Sequence, residues 1–229
     1  RSLYYMHDAR IFVKEMQGTD LVFIEVITQD VWTIGLVAFA NSTEEVETRL
    51  YDRNFLGMGQ SVMFKTQYNY TTTPLTAVSF AYQKDNLWGT FMNSGIRIST
   101  MNDGVRQAGE YEGNVTVYVA RPLYTPVARF TGNAEYSYNW SMNKKNKVDS
   151  VFYNYTYGRT DVWAGYTFEQ LIKHDKKWAN NHRYRFMISA RIIYQRFIEK
   201  PSQDVKTNYL YNDQMGYIGQ VAWFHYNYY

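Results

Sequence analysis

Period-two alternation sustained over ten or more residues, several times over, constrains this chain more than any other feature. In 60–71, Val62, Phe64, Tyr68 and Tyr70 share one face, while Ser61, Met63, Lys65, Gln67 and Asn69 share the other. In 127–140, Phe130, Ala134, Tyr136, Tyr138 and Trp140 oppose Arg129, Thr131, Asn133, Glu135, Ser137 and Asn139. In 184–195, Phe186, Ile188, Ala190, Ile192 and Tyr194 oppose Arg185, Met187, Ser189, Arg191 and Gln195. The stretch 148–158 reads the same way, with Val151, Tyr153, Tyr155 and Tyr157 on one side and Ser150, Asn154, Thr156 and Gly158 on the other. Globular strands run to about five or six residues. Strands crossing a bilayer at a tilt need roughly nine to eleven. The pattern predicts an all-β fold, an antiparallel transmembrane β-barrel.

Composition agrees. Tyrosine alone accounts for 23 residues and aromatics for 18% of the chain, yet mean hydropathy is −0.48. A sheet greasy on one face and wet on the other has that signature. With 45% hydrophobic and 20% charged residues the chain is no disordered segment. The absence of cysteine excludes a disulfide scaffold and a thiol nucleophile. A net charge of +3 is close to balance, so a nucleic-acid footprint is not implied. No run of about eighteen apolar residues is present to make a transmembrane helix, which leaves a barrel open because its strands hide apolar residues at every second position. The polar opening Arg1–Tyr5 is no signal peptide, so a mature form or an internal piece of a longer chain is expected.

Connection lengths alternate as well. Short glycine- or proline-bearing turns are expected at 54–59, 86–90, 122–126 and 158–160, and polar, often longer loops at 41–45, 71–74, 101–113, 141–147 and 171–183. Outer-membrane barrels place short turns on the periplasmic rim and long loops outside. Strands are predicted near 32–41, 44–53, 59–71, 75–85, 90–100, 114–121, 127–140, 148–158, 160–170, 183–198 and 212–229, with 201–212 as a longer connection. That makes about eleven, an odd count where bacterial barrels close on even ones. Residues 1–31 lack the two-faced pattern. There, 8–15 and 20–29 read as two ordinary strands joined at 17–20, the last hairpin of a small module ahead of the barrel. With 217–229 ending as a strand without closure, the chain is expected to be incomplete at both ends.

At Asp52-Arg53-Asn54-Phe55-Leu56-Gly57-Met58-Gly59-Gln60 the sequence resembles the outer-membrane assembly and secretion superfamily of BamA, TamA and the two-partner-secretion transporters. An Asp/Glu-x-Asn-x-x-Gly-x-Gly turn joins the second and third barrel strands of that family at the periplasmic rim. Asp52 and Asn54 suit backbone hydrogen bonds, Gly57 and Gly59 suit positive φ, and Phe55 and Leu56 suit the membrane boundary. Gln83-Lys84-Asp85-Asn86-Leu87-Trp88-Gly89 is similar to the family's next periplasmic turn, with Asn-Leu where Asn-Pro is usual, and Arg121-Pro122-Leu123-Tyr124 to its Arg-Pro-Phe element. The stretch 21–32 is similar to the closing strand of a POTRA module. The match covers roughly residues 1–130; beyond that only the barrel pattern continues, and neither the family's Val-Arg-Gly-Phe/Tyr loop nor its aromatic-ending last strand is present.

The resemblance implies a periplasmic POTRA-like end at 1–31 and the N-terminal part of an outer-membrane barrel at 32–229. It implies a factor that inserts or translocates β-rich proteins, with Thr33, Ile34, Gly35, Leu36, Val37 and Ala38 as the lateral-gate strand that meets the last strand in a weak seam. Gly35, midway along that segment, is expected to weaken it. Partners would be unfolded outer-membrane or secreted β-rich clients, the lipid bilayer, and periplasmic or lipoprotein accessory subunits. No cofactor, nucleotide, metal or nucleic acid is called for. A two-partner-secretion transporter, a plain porin-like barrel and a glycan-binding β-sandwich are the alternatives.

The remaining motifs carry little chemistry. His7, His174, His182 and His225 show no ligand spacing, no serine has a catalytic context, and Gly57-x-Gly59 lacks the strand-to-helix setting of a phosphate loop, so no enzyme activity is expected. Lys65, Arg97, Arg129, Glu135, Arg185 and Arg191 are placed to face the lumen, either lining an ion path or satisfying one another in a hydrated interior. Of these, mutual satisfaction is the expectation. The tyrosines read as girdle and lipid-face anchors, and the Asn-x-Ser/Thr triplets at Asn41, Asn69, Asn114, Asn139 and Asn154 as chance.

Overall fold

The computed structural model describes residues 6–15, 21–102, 110–124, 128–170, 182–203 and 210–227. The elements are β1 (Met6–Glu15), β2 (Val22–Asp30), β3 (Ile34–Ser42), β4 (Glu45–Asp52), a 3-10 turn at Phe55–Gly57, β5 (Gln60–Asn69), β6 (Thr76–Leu87), β7 (Met92–Ser99), β8 (Tyr111–Arg121), β9 (Phe130–Met142), β10 (Thr156–Gln170), β11 (His182–Glu199) and β12 (Gln214–Asn227). The hairpin β1–β2 is a two-stranded sheet of its own, and β3 to β12 form one ten-stranded sheet in strict chain order. Every neighbouring pair is antiparallel. β3 and β12 are its two edges, and no pairing joins them among the described residues.

The faces are inverted relative to a water-soluble sheet. Phe64, Val78, Phe80, Ile98, Val117, Val119, Phe130, Val162, Ile188 and Ile192 are exposed, whereas Ser79, Ser99, Asn114, Ser137, Asn139, Asp161 and Ser189 are buried. A soluble domain does the opposite, because exposing that much contiguous apolar surface to water is unfavourable. Apolar side chains outside and polar ones within the curl of the sheet are the wall of a transmembrane β-barrel, open here between β3 and β12. No described helix is long and apolar enough to cross a membrane.

The expected strands from 32 to 140 are observed with shifted ends, and the divergence comes after β9. The stretch 148–158 is not a strand: 149–151 form a turn, the chain is irregular through Tyr155, and β10 then runs unbroken through the turn expected at 158–160. The two expected strands are therefore one, and among the described residues the sheet has ten strands rather than eleven. The sides of later connections change with it. The ends joined through 171–181 lie at the rim of the short 53–59 and 88–91 turns, not at the long-loop rim. Residues 171–181 themselves, like the 17–20 turn and the side chains of Arg185 and all four histidines, lie outside the described residues.

Tyr155 and Tyr157 do not face lipid. Both have no exposed surface and cluster with Phe197 and Tyr211 at the long-loop rim. The alternation of 148–158 is a real pattern with a different cause: its aromatics fill a pocket of the protein.

Candidate functional site

Three regions bear on function: the short-turn rim, the edge strand and the lumen wall. At the rim, Asn54 organises the turn. Its backbone N–H donates to Asp52 Oδ1 (3.0 Å), its carbonyl accepts from Gly57 N–H (2.7 Å), and its side-chain oxygen accepts from Gly59 N–H (2.9 Å). Three bonds through one residue close the loop. Leu56, Gly57 and Gly59 have φ of 56°, 69° and 63°. Phe55 and Leu56 are exposed at the rim. The next turn repeats the device: Asn86 Oδ1 accepts from Phe91 N–H (2.9 Å), again five residues on. Asn86, Trp88, Gly89 and Phe91 all have positive φ. The Phe91 ring stacks on Tyr124 with centroids 4.1 Å apart, tying this turn to the Arg121–Tyr124 segment.

Gly57 has open space around its α-carbon, so a methyl group there meets nothing and only the backbone objects. Gly57→Ala is expected to destabilise the chain by about 1–2 kcal/mol, the cost of a left-handed conformation for a residue with a β-carbon. Urea unfolding in detergent micelles measures it, and an unchanged midpoint would contradict the strain.

β3 pairs with β4 from Ile34↔Asp52 to Ser42↔Glu45, with one irregularity between Ala40 and Ser42. Thr33 precedes the strand, although its carbonyl accepts Arg53 N–H at 3.0 Å. Leu36, at 73% exposure, is among its most exposed outward side chains. Gly35 is the second residue of the strand rather than its middle, and it has a packing role: a β-carbon there would fall 2.3 Å from the Tyr51 ring. Gly95 receives the Tyr118 ring in the same way. These glycines make room for lumen-facing tyrosines lying flat across the neighbouring strand.

In the lumen wall, Lys65, Arg97, Glu135 and Arg191 occupy the positions that alternate with outward Phe64, Ile98, Tyr136 and Ile192, while Arg129 lies just before β9, its carbonyl accepting Thr167 N–H at 2.8 Å. They are not one network. Arg191 grips Asp161 with two bonds (2.8 and 2.5 Å), and Arg159 approaches the same carboxylate at 3.5 Å. Asp161 was not among the expected site residues. Its signal lay in the inward parity it shares with Arg159, but its partner is 30 residues away and is chosen by strand register. Arg49, also unanticipated, pairs with Glu47 at 2.5 Å. Lys65 and Arg97 have no acidic oxygen within 4 Å among the described residues.

The long-loop rim is capped. Lys144, almost fully buried, donates from Nζ to Thr100 O (2.5 Å), and its carbonyl accepts Thr73 N–H (2.7 Å). Lys147 Nζ meets Glu110 at 2.7 Å. Burial holds the Lys144 amine below the ordinary lysine range, opposed by the charge of Glu45. Beneath, Glu112, also fully buried, accepts Tyr155 Oη (2.9 Å) and Tyr157 Oη (3.0 Å). Burial and the adjacent carboxylate push the Tyr155 phenol upward, and burial raises Tyr211 to about 12, so both stay protonated near neutrality. Gln203 Nε2 donates to Phe152 O (2.6 Å), fastening the connection after β11 to the same loop. No group of three metal-ligating side chains occurs among the described residues.

No family model matches the chain, and no curated protein does. Among solved structures it is similar to the crystal structure of BamA from Haemophilus ducreyi lacking POTRA domains 1–3. That likeness has 11% identity and a TM-score of 0.42, and covers 85% of this chain and 47% of that one. The chain thus spans about half the length of the structure it matches.

Proposed function

We propose that this chain is the N-terminal part of an outer-membrane barrel that inserts β-rich proteins by offering them the edge of β3. The observation that carries the reading is β3 itself, regularly paired to β4 on one side and, among the described residues, to no strand on the other. Such an edge presents a row of unpaired N–H and C=O groups, and an incoming strand adds to it by β-augmentation while its apolar face enters lipid. The turn at 52–60 supports the same reading through its family resemblance. The hairpin β1–β2 ahead of β3 is assigned to a POTRA-like periplasmic module on that basis.

Secretion through the lumen is the competing reading. The cap of 143–155, bonded to Thr73, Thr100, Glu110 and Gln203, weighs against it because a polypeptide leaving by that rim must first displace those contacts.

A photocrosslinking residue at Leu36, on the β3 edge, should capture nascent outer-membrane proteins in cells. The same residue at Val117, outward-facing in the middle of the sheet, should not. Equal capture at both positions, or none at Leu36 while the protein is folded in the membrane, would overturn the edge-docking reading.

A further inference from the structure

Charges in the lumen divide by wall. On β10 and β11 Asp161 holds Arg191 and Arg159. On β4 to β7 only Arg49 is in an ion pair among the described residues. Arg49, Arg53 and Arg97 line one recess of about 460 Å³ together with Tyr51, Gln83 and Tyr118. Neither Arg53 nor Arg97 has an acidic oxygen within 4 Å among the described residues. Of the acids nearby, Glu47 takes Arg49; Asp52, which also lines the recess, accepts Asn54 N–H, Asp85 accepts Gln83 Nε2 at 2.8 Å, and neither lies within 4 Å of the Arg53 or Arg97 guanidinium. Glu135 is the cross-strand partner of Tyr118, yet forms no ion pair within 4 Å among the described residues.

Two of the guanidiniums and the Gln83 amide are held in place. The Arg53 guanidinium lies 4.9 Å over the Tyr51 ring, and Arg49 lies 4.6 Å over Phe39. Tyr118 Oη donates to Gln83 Oε1 (2.5 Å), which fixes the amide that Asp85 anchors from the other side. Guanidinium groups fixed on aromatic faces, in a concave wall, match the planar oxygens of a carboxylate or phosphate, and they lose little freedom on binding. We infer that this recess is an oxyanion-binding site, taking a carboxylate or phosphate group from the lumen. The inference stands independently of the edge-docking reading.

The test uses the full chain in non-ionic detergent, titrated with inorganic phosphate and separately with propionate, each followed by ligand-observed NMR. Saturable binding of at least one anion is expected. Arg97→Gln should weaken it about tenfold or more, as loss of one charge-assisted contact does, and Arg97→Lys should restore it in part. Arg53→Gln, at the exposed rim, should fold normally and weaken binding too. Lys145→Gln, on an exposed loop at the other rim, should leave it unchanged. Preference for phosphate points to a phosphorylated ligand, and preference for propionate to an acidic peptide or other carboxylate. Absence of saturable binding of either anion overturns the site. So does an equal loss in Lys145→Gln, which marks bulk charge alone.

Discussion

Ala134→Arg is expected to destabilise the folded chain by about 2–4 kcal/mol, whereas Asn133→Arg, one residue earlier, should cost no more than about 1 kcal/mol. The contrast comes from the pleat. Ala134 is paired with Val119 on β8 and Val162 on β10, and both of those side chains point outward and are exposed. Phe130 on the same face is 60% exposed, and the outward row continues through Ile188 and Ile192 on β11. An arginine at Ala134 therefore enters the apolar face between Val119 and Val162, where the guanidinium must be desolvated or must distort the bilayer. Asn133 points the other way, beside Ala120 and Trp163, into a hydrated lumen that already accommodates charge. Denaturant unfolding of the two variants in bilayers measures the difference. Equal losses would mean that the outward face of β9 is not a lipid face.

Glu112→Ala should be the most damaging change at the long-loop rim, costing about 2–5 kcal/mol. It removes a fully buried carboxylate that two tyrosine hydroxyls share, and opens a void beneath the Tyr155, Tyr157, Phe197 and Tyr211 cluster. Glu112→Gln keeps one acceptor oxygen and most of the volume, so it should cost clearly less. The effect should also be local. Faster amide exchange in 141–157, with the β4–β7 wall unchanged, is the expected pattern, because the lost contacts all lie at one rim. If alanine and glutamine behave alike, the shared-acceptor geometry is not what holds the cap.

What could be read in advance follows from how each feature is encoded. A strand's two faces are a property of its own backbone, since successive side chains point to opposite sides. Phe64 outward with Lys65 inward, and Tyr136 outward with Glu135 inward, could thus be read without knowing any neighbour. The turn at 52–60 was legible for the same reason: Asn54, Gly57 and Gly59 act on backbone within five residues. Alternation does not say what lies opposite. Tyr153, Tyr155 and Tyr157 alternate with polar residues just as lipid-facing strands do. Only Glu112, contributed by β8, and Phe197 and Tyr211, contributed from beyond β10, make their surroundings a protein interior.

Register is the other decision left to the tertiary structure. It sets Asp161 beside Arg191, places Tyr51 over Gly35, and leaves Arg97 without an acidic oxygen within 4 Å among the described residues. Lumen charge was visible in the sequence as a set of inward arginines and lysines, but pairing depends on which strand stands next to which and at what offset. The amino-acid sequence by itself determined a two-faced antiparallel sheet and the closed geometry of its rim turn, both products of short-range stereochemistry. The number of strands, the rim to which each connection belongs, and which lumen cations meet an acid were decided by contacts between residues distant in the chain.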